Sequence, residues 1–224
     1  MSREYLLLQI HQIQDELLLM GSMVEQATLK SVECLKKKDI EGAKAIYNAD
    51  VNINEKRYAI ENSTLILIAT QQPLAHDLRL LAAFLEISAE IERMGDYAKG
   101  IAKVVVRLGD LDIPLPLREI EEMARLAVDM LHRSLTAFIN EDPLTARKIP
   151  AEDDKVDALY QKVQQAVIRE MVAQAKVIDS VNLFMWVAHN LERMADRVSN
   201  ICERTVFVAT GELGELEVEK KHLD

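Results

Sequence analysis

Four pairs of oxygen-bearing side chains stand four residues apart: Glu92 with Asp96, Glu192 with Asp196, Asp153 with Asp157, and Asp50 with Asn54, where an amide replaces one carboxylate. On a helix, residues at i and i+4 project from one face, and like charges at that spacing cost about 0.2–0.5 kcal/mol. One such pair alone is ordinarily a solvated face. Two pairs on neighbouring helices would bring three or four carboxylates together, an all-oxygen donor set suited to Mg²⁺, Ca²⁺, Mn²⁺ or iron rather than to soft-metal thiolate chemistry. In steps of about 100° per residue, Glu92 and Asp96 fall roughly 120–160° from the centre of their helix's apolar stripe, which predicts an outer-surface position. Glu192 and Asp196 take the same place on theirs. Arg93 and Arg193, next to the glutamates, are candidate counter-charges.

The elements that must carry these pairs read as six long helices, over about 5–37, 40–70, 74–108, 118–140, 143–174 and 179–208. In the third, Leu80, Phe84, Ile87, Ile91, Met94, Ala98, Ile101 and Val105 recur at steps of three and four, the period of a helix buried on one face. Asp39 and Asp142 suit N-cap positions, with Pro143 in the first turn, and Pro150 should kink or interrupt the fifth helix early. Gly109 to Pro116 holds one glycine and two prolines and cannot continue a helix. The reading is therefore a first three-helix unit over 1–108, a linker over 109–117, a second unit over 118–210 and a polar tail over 211–224.

The two units resemble each other. IERMGD at 91–96 returns as LERMAD at 191–196, and Phe84 as Phe184, at an offset of 100; Asp39, Ala43 and Ile46 return as Asp142, Ala146 and Ile149, and Asp50, Ile53 and Asn54 as Asp153, Val156 and Asp157, at an offset of 103. Ordered matches of this kind mark a duplication. Short connections make sequential helices antiparallel neighbours, so the fold class is all-α: two tandem up-down-up three-helix bundles, elongated and side by side.

Composition narrows the functions. Glycine and proline make seven and five of 224 residues, about half their average usage, which disfavours all-β folds. Neither common glycine-rich nucleotide motif is present. A net charge of −10 and a pI near 5.1 repel nucleic acid and anionic lipid. The longest apolar runs, Leu80–Leu85 and Leu183–Ala188, are six residues, against about 20 for a membrane span. No signal peptide is expected, and Cys34 and Cys202 suit reduced thiols of a cytoplasmic protein. Lys36, Lys37 and Lys38 close the first helix, where cations suit the dipole. Met94, Met123, Met130, Met185 and Met194 fall on apolar faces as core filling.

An enzyme of the di-iron carboxylate type needs Glu-x-x-His from two helices. Only Glu219 with His222, in the tail, has that form; Asp129 with His132 has similar spacing, but Gln26 and Leu29 stand at the equivalent first-repeat places. His11, His76 and His189 have no evident partner. The sequence supports no enzyme. A metal-free helical scaffold with acidic docking faces is the alternative to a metal protein.

The pattern Glu92-Arg93-Met94-Gly95-Asp96, continued by Ala98, Ile101 and Ala102, resembles the PhoU family, as do its partial copy from Leu191 to Ile201 and the Gln72-Pro73-Leu74-Ala75-His76-Asp77-Leu78-Arg79 segment. The resemblance covers nearly the whole chain. It implies a cytoplasmic, non-enzymatic, dimeric regulator that restrains phosphate-starvation signalling between a phosphate ABC transporter and a membrane sensor histidine kinase. It also implies multinuclear metal clusters, with iron favoured and manganese, magnesium and calcium left open. Residue by residue it assigns Asp50, Glu92 and Asp96 to a first site and Asp153, Asp157, Glu192 and Asp196 to a second, with Asn54, Arg93, Arg193 and Asn200 in support. Asn54 departs from the acidic pattern, so the first site is expected to bind the more weakly. Direct phosphate binding is disfavoured, because an acidic face repels the ligand unless metal ions bridge it.

Overall fold

The structure, a computed structural model, describes residues 3–109, 116–173 and 178–216. Within them lie six long helices and no strand: α1 (Arg3–Lys37), α2 (Ile40–Gln71), α3 (Ala75–Leu108), α4 (Leu117–Ile139), α6 (Asp153–Ala173) and α7 (Ile178–Thr210), with a one-turn α5 (Pro143–Ala146) and a 3₁₀ turn (Ile149–Glu152) between α4 and α6. At 1.5 Å per residue, α1, α3 and α7 are each about 50 Å long. Among the described residues, no helix is long and apolar enough to cross a membrane. Most of the linker, residues 110–115, and Glu219 with His222 lie outside the described residues.

Local chemistry accounts for the breaks. Asp39 caps α2 by accepting from Gly42 N at 2.9 Å, and Asp142 caps α5 by accepting from Leu144 N and Thr145 N at 3.0 and 3.1 Å, with Pro143 in the first turn. Pro150 lies in the 3₁₀ turn, so the fifth predicted helix is divided and its long part starts at Asp153. The corresponding stretch of the first repeat is an unbroken α2.

The first repeat packs α2 against α1 and α3, and the second packs α6 against α4 and α7. The repeats meet through α1 on α4 and α3 on α7, so these four helices form a central layer with α2 and α6 flanking it. One core of buried side chains runs through both repeats; Phe84 of α3 meets Phe138 of α4 edge-to-face with centroids 5.8 Å apart. Met94, Met123, Met130 and Met194 are buried in this core and Met185 packs on its edge. Buried hydroxyls are satisfied along their own helices, as Thr28, Thr64 and Thr205 are by the carbonyl four residues back.

The α3–α7 contact is antiparallel. Arg204 Nε lies 2.8 Å from Glu86 Oε2 and Arg197 Nη1 lies 3.1 Å from Glu90 Oε2. Gly100 faces Asn190 so closely that a Cβ would stand 2.8 Å from its amide nitrogen. The repeat offset exchanges Gly100 and Asn190 with Asn200 and Glu90, which also stand together, lining one small cavity. That exchange is the mark of a pseudo-two-fold axis between the repeats.

One core contact differs between the repeats by the transfer of a methyl group. Gly95 of α3 lies against Ile53 of α2, where a Cβ would come 3.1 Å from Ile53 Cδ1; the second repeat has Ala195 and Val156 instead. We expect Ile53→Val alone to cost about 1 kcal/mol through the cavity it leaves. Gly95→Ala alone overpacks, offsetting its helix-propensity gain of about 1 kcal/mol. The double variant should recover the loss, with a coupling of about 1 kcal/mol in urea unfolding. Strictly additive effects would contradict this packing.

Candidate metal centres

Each candidate centre lies where a flanking helix meets a central one. α2 presents Asp50 and Asn54 beside Glu92 and Asp96 of α3; α6 presents Asp153 and Asp157 beside Glu192 and Asp196 of α7. The helical i, i+4 spacing sets each pair along the groove between its two helices. The sequence placed Glu92 with Asp96 and Glu192 with Asp196 on the outer surface, and the structure corrects that in part, since both glutamates are half-buried. Asp96, Asp157 and Asp196 are exposed, Glu92, Asp153 and Glu192 are half-buried, and Asp50 is only 4% exposed. The flanking helices cover what lies outside the apolar stripe of α3 or α7 taken alone.

In the first groove, cations of the chain itself are present. Lys99 Nζ donates to Asp50 Oδ2 at 2.7 Å, stands 3.8 Å from Asp96 Oδ1 and lies 5.4 Å from the centre of the Tyr47 ring. Arg57 Nη1 is 3.9 Å from Glu92 Oε2. Burial and then the charge of Asp96 push the Glu92 carboxyl up, against the pull of Arg57. Asp50 Oδ1 and Asn54 Oδ1 are buried without a hydrogen-bond partner among the described residues.

The second groove has no residue equivalent to Lys99 or Arg57. The repeat offsets carry Lys99 to Ser199, Arg57 to Tyr160 and Tyr47 to Pro150. Burial, then the charges of Asp196 and Asp157, push the Asp153 carboxyl up to about 7. The partial positive charge at the start of α6 is outweighed. Glu192 is also pushed up, by burial and by Asp196, with His189 and Arg193 opposing more weakly. Burial, then the charge of Glu192, pushes the Tyr160 phenol up. His189 Nδ1 is 3.3 Å from Glu192 Oε2, yet that oxygen and Asp153 Oδ1 make no hydrogen bond among the described residues. A buried acceptor left in that state costs about 1–3 kcal/mol.

The donor chemistry of the second groove fits a hard cation: four carboxylates, two of them with buried oxygens that make no hydrogen bond among the described residues. Among the described residues, no three His, Cys, Asp or Glu side chains stand grouped as a finished site, so the exposed Asp157 and Asp196 would have to turn inward. The first groove does not fit in the same way, since Lys99 already holds Asp50. The supporting residues need correction. Arg93 pairs with Glu90 at 3.0 Å rather than with Glu92, and Asn200 lines a cavity of about 230 Å³ with Glu86 and Arg204. Lys99 and Arg57 are the residues that sequence reading missed, although comparing the repeats at fixed offset would have singled them out.

Other reactive groups are quiet. Cys34 and Cys202 are buried free thiols, and burial pushes Cys202 up to about 12. His76, read from sequence as unpartnered, meets Glu141 at 2.7 Å. His11 meets Gln14 at 2.9 Å.

Comparison with known proteins agrees with this architecture. The PhoU domain matches the chain twice, over residues 17–105 and 120–205. The phosphate-specific transport system accessory protein PhoU homolog of Streptococcus pneumoniae serotype 4 is 34% identical over 209 residues, covering 93% of this chain and 97% of that protein. The PhoU accessory protein of Escherichia coli K12 is 32% identical over 205 residues, 91% of this chain and 85% of that one. A crystal structure of the PhoU regulatory protein from Streptococcus pneumoniae superposes with a TM-score of 0.87 at 32% identity, covering 94% of this chain and 99% of that one.

The raised Asp153 carboxyl has a pH consequence. Its folded value of about 7 lies above the ordinary aspartate value of 3.8. The folded state therefore holds a proton that the unfolded chain releases, a contribution to stability present below about pH 4 and lost as pH rises through 7. We expect the chelator-treated protein to lose stability between about pH 5 and 8, and Asp153→Asn to flatten that slope and raise the melting temperature at pH 8. Thermal melts across pH measure it; an unchanged slope in the variant would contradict the assignment.

Proposed function

The chain belongs to the PhoU family, and from that premise we propose that it is a non-enzymatic accessory protein of a phosphate-specific transport system. In this reading it is a cytoplasmic homodimer that restrains phosphate-starvation signalling through contacts with a phosphate ABC transporter and a membrane sensor histidine kinase. The observation that carries the reading is the match of both repeats, in order, to relatives named for that system over 93% of the chain.

The same proposal places a multinuclear metal centre, with iron favoured by the family resemblance, on Asp153, Asp157, Glu192 and Asp196. The centre would supply positive charge on a face that otherwise presents carboxylates. Asp153 and Glu192 would be the anchoring ligands, since both are half-buried and each has an oxygen that makes no hydrogen bond among the described residues. Asp157 and Asp196, being exposed, would adjust to the ion. A metal-free scaffold is the second reading, and it draws on the lack of a finished donor group among the described residues.

Elemental analysis of untagged protein, beside an Asp153→Ala/Glu192→Ala/Asp196→Ala variant, separates the two. We expect more than one equivalent of metal per chain, lost in the variant; a folded wild-type protein that refuses iron and manganese would leave the scaffold. Deleting the gene in its host should switch on the starvation response in phosphate-replete medium. An unaltered response would count against the regulatory role.

A further inference from the structure

We propose that the first repeat's carboxylate groove is closed by the chain's own cation. Lys99, seated on Asp50 and backed by the Tyr47 ring, takes the place of a metal ion, so the protein carries a single metal centre, on α6 and α7. The second half of this statement rests on the metal reading above.

Three features carry the inference. The first is geometry: the Lys99 ammonium is 2.7 Å from Asp50 Oδ2 and 3.8 Å from Asp96 Oδ1, one residue from each helix of the groove. A cation shared between α2 and α3 would sit in that position. The second is that the substitutions come as a set. Lys99, Tyr47 and Arg57 in the first repeat correspond to Ser199, Pro150 and Tyr160 in the second. The ammonium, the ring beside it at 5.4 Å and the guanidinium near Glu92 at 3.9 Å are all absent from the second groove. Arg93 and Arg193 occur in both and cannot produce the difference.

The third feature is access. A groove of about 570 Å³ between α1 and α2 reaches both Asp50 and Lys99. The first cluster is therefore approached at Asp50, where the lysine sits, and the charge there is what an ion would meet. An entering ion would have to expel the lysine from a carboxylate that is 4% exposed, while Arg57 stays close to the next ligand. The replacement of an acid by Asn54 is a smaller effect in the same direction.

The test is Mn²⁺ binding, followed by calorimetry and by metal content after desalting, on the full chain and four variants. Asp153→Asn/Glu192→Gln should abolish binding, whereas Asp50→Asn/Glu92→Gln should leave it within about twofold of wild type. Lys99→Ser/Arg57→Tyr should add a second set of sites, and Lys99→Met should do so in part if the double variant folds poorly. Equal losses in the two acid variants, or no gain from removing Lys99, would overturn the proposal. A wild-type protein that takes no Mn²⁺ would be a failure of the underlying metal reading. The lysine is then judged by melting: Asp50→Asn alone should lower the melting temperature, and adding Lys99→Met should restore part of it. Absence of that recovery would overturn the pairing itself.

Discussion

The antiparallel contact of α3 with α7 is the constraint on which the rest of the molecule depends. Both helices are buried along most of one face, and Gly100 admits Asn190 to a distance that a side chain would forbid. Arg79 extends the contact to its end by donating to the Val208 carbonyl, near the C-terminus of α7, at 3.1 Å, where a cation suits the helix dipole. With the two central helices fixed about a pseudo-two-fold axis, α1 and α4 complete the middle layer and α2 and α6 can only lie outside it. The carboxylate grooves are the seams left between the flanking helices and this layer.

The two seams share a backbone plan and differ in charge. Duplication made each of them a meeting of an acidic flanking helix with an E-x-x-x-D central helix. In the first, a lysine and an arginine sit among three carboxylates. In the second, four carboxylates meet a serine and a tyrosine at the equivalent positions, and the Asp153 carboxyl is driven to about 7. An ammonium hydrogen-bonded to a buried carboxylate satisfies charge internally, whereas half-buried carboxylates that repel one another hold free energy that a proton or a metal ion can release.

Much of this was legible in the sequence. The helix count, both aspartate caps, the interruption at Pro150 and the repeat itself followed from periodicity, capping chemistry and the scarcity of glycine and proline. The site residues were legible as types and spacings. Their burial was not, because the helical wheel of α3 says nothing of what α2 covers, and Asp50 is buried by that covering. The ion pair of one candidate counter-charge was hidden for a related reason. Arg93 is adjacent to Glu92 in sequence but turns to Glu90, while Lys99 reaches Asp50 across 49 residues of sequence. Partners of that kind become visible only when the helices are assembled.

The central claim is that the repeats hold two differently charged versions of one groove, one closed by a lysine and one open to a metal ion. Anomalous diffraction from crystals of the full chain grown with Mn²⁺ tests it most directly. The account predicts metal density among Asp153, Asp157, Glu192 and Asp196, with Lys99 still on Asp50 and no peak beside it. Density of equal strength beside Asp50 with Lys99 turned away, or no density in either groove, would contradict it.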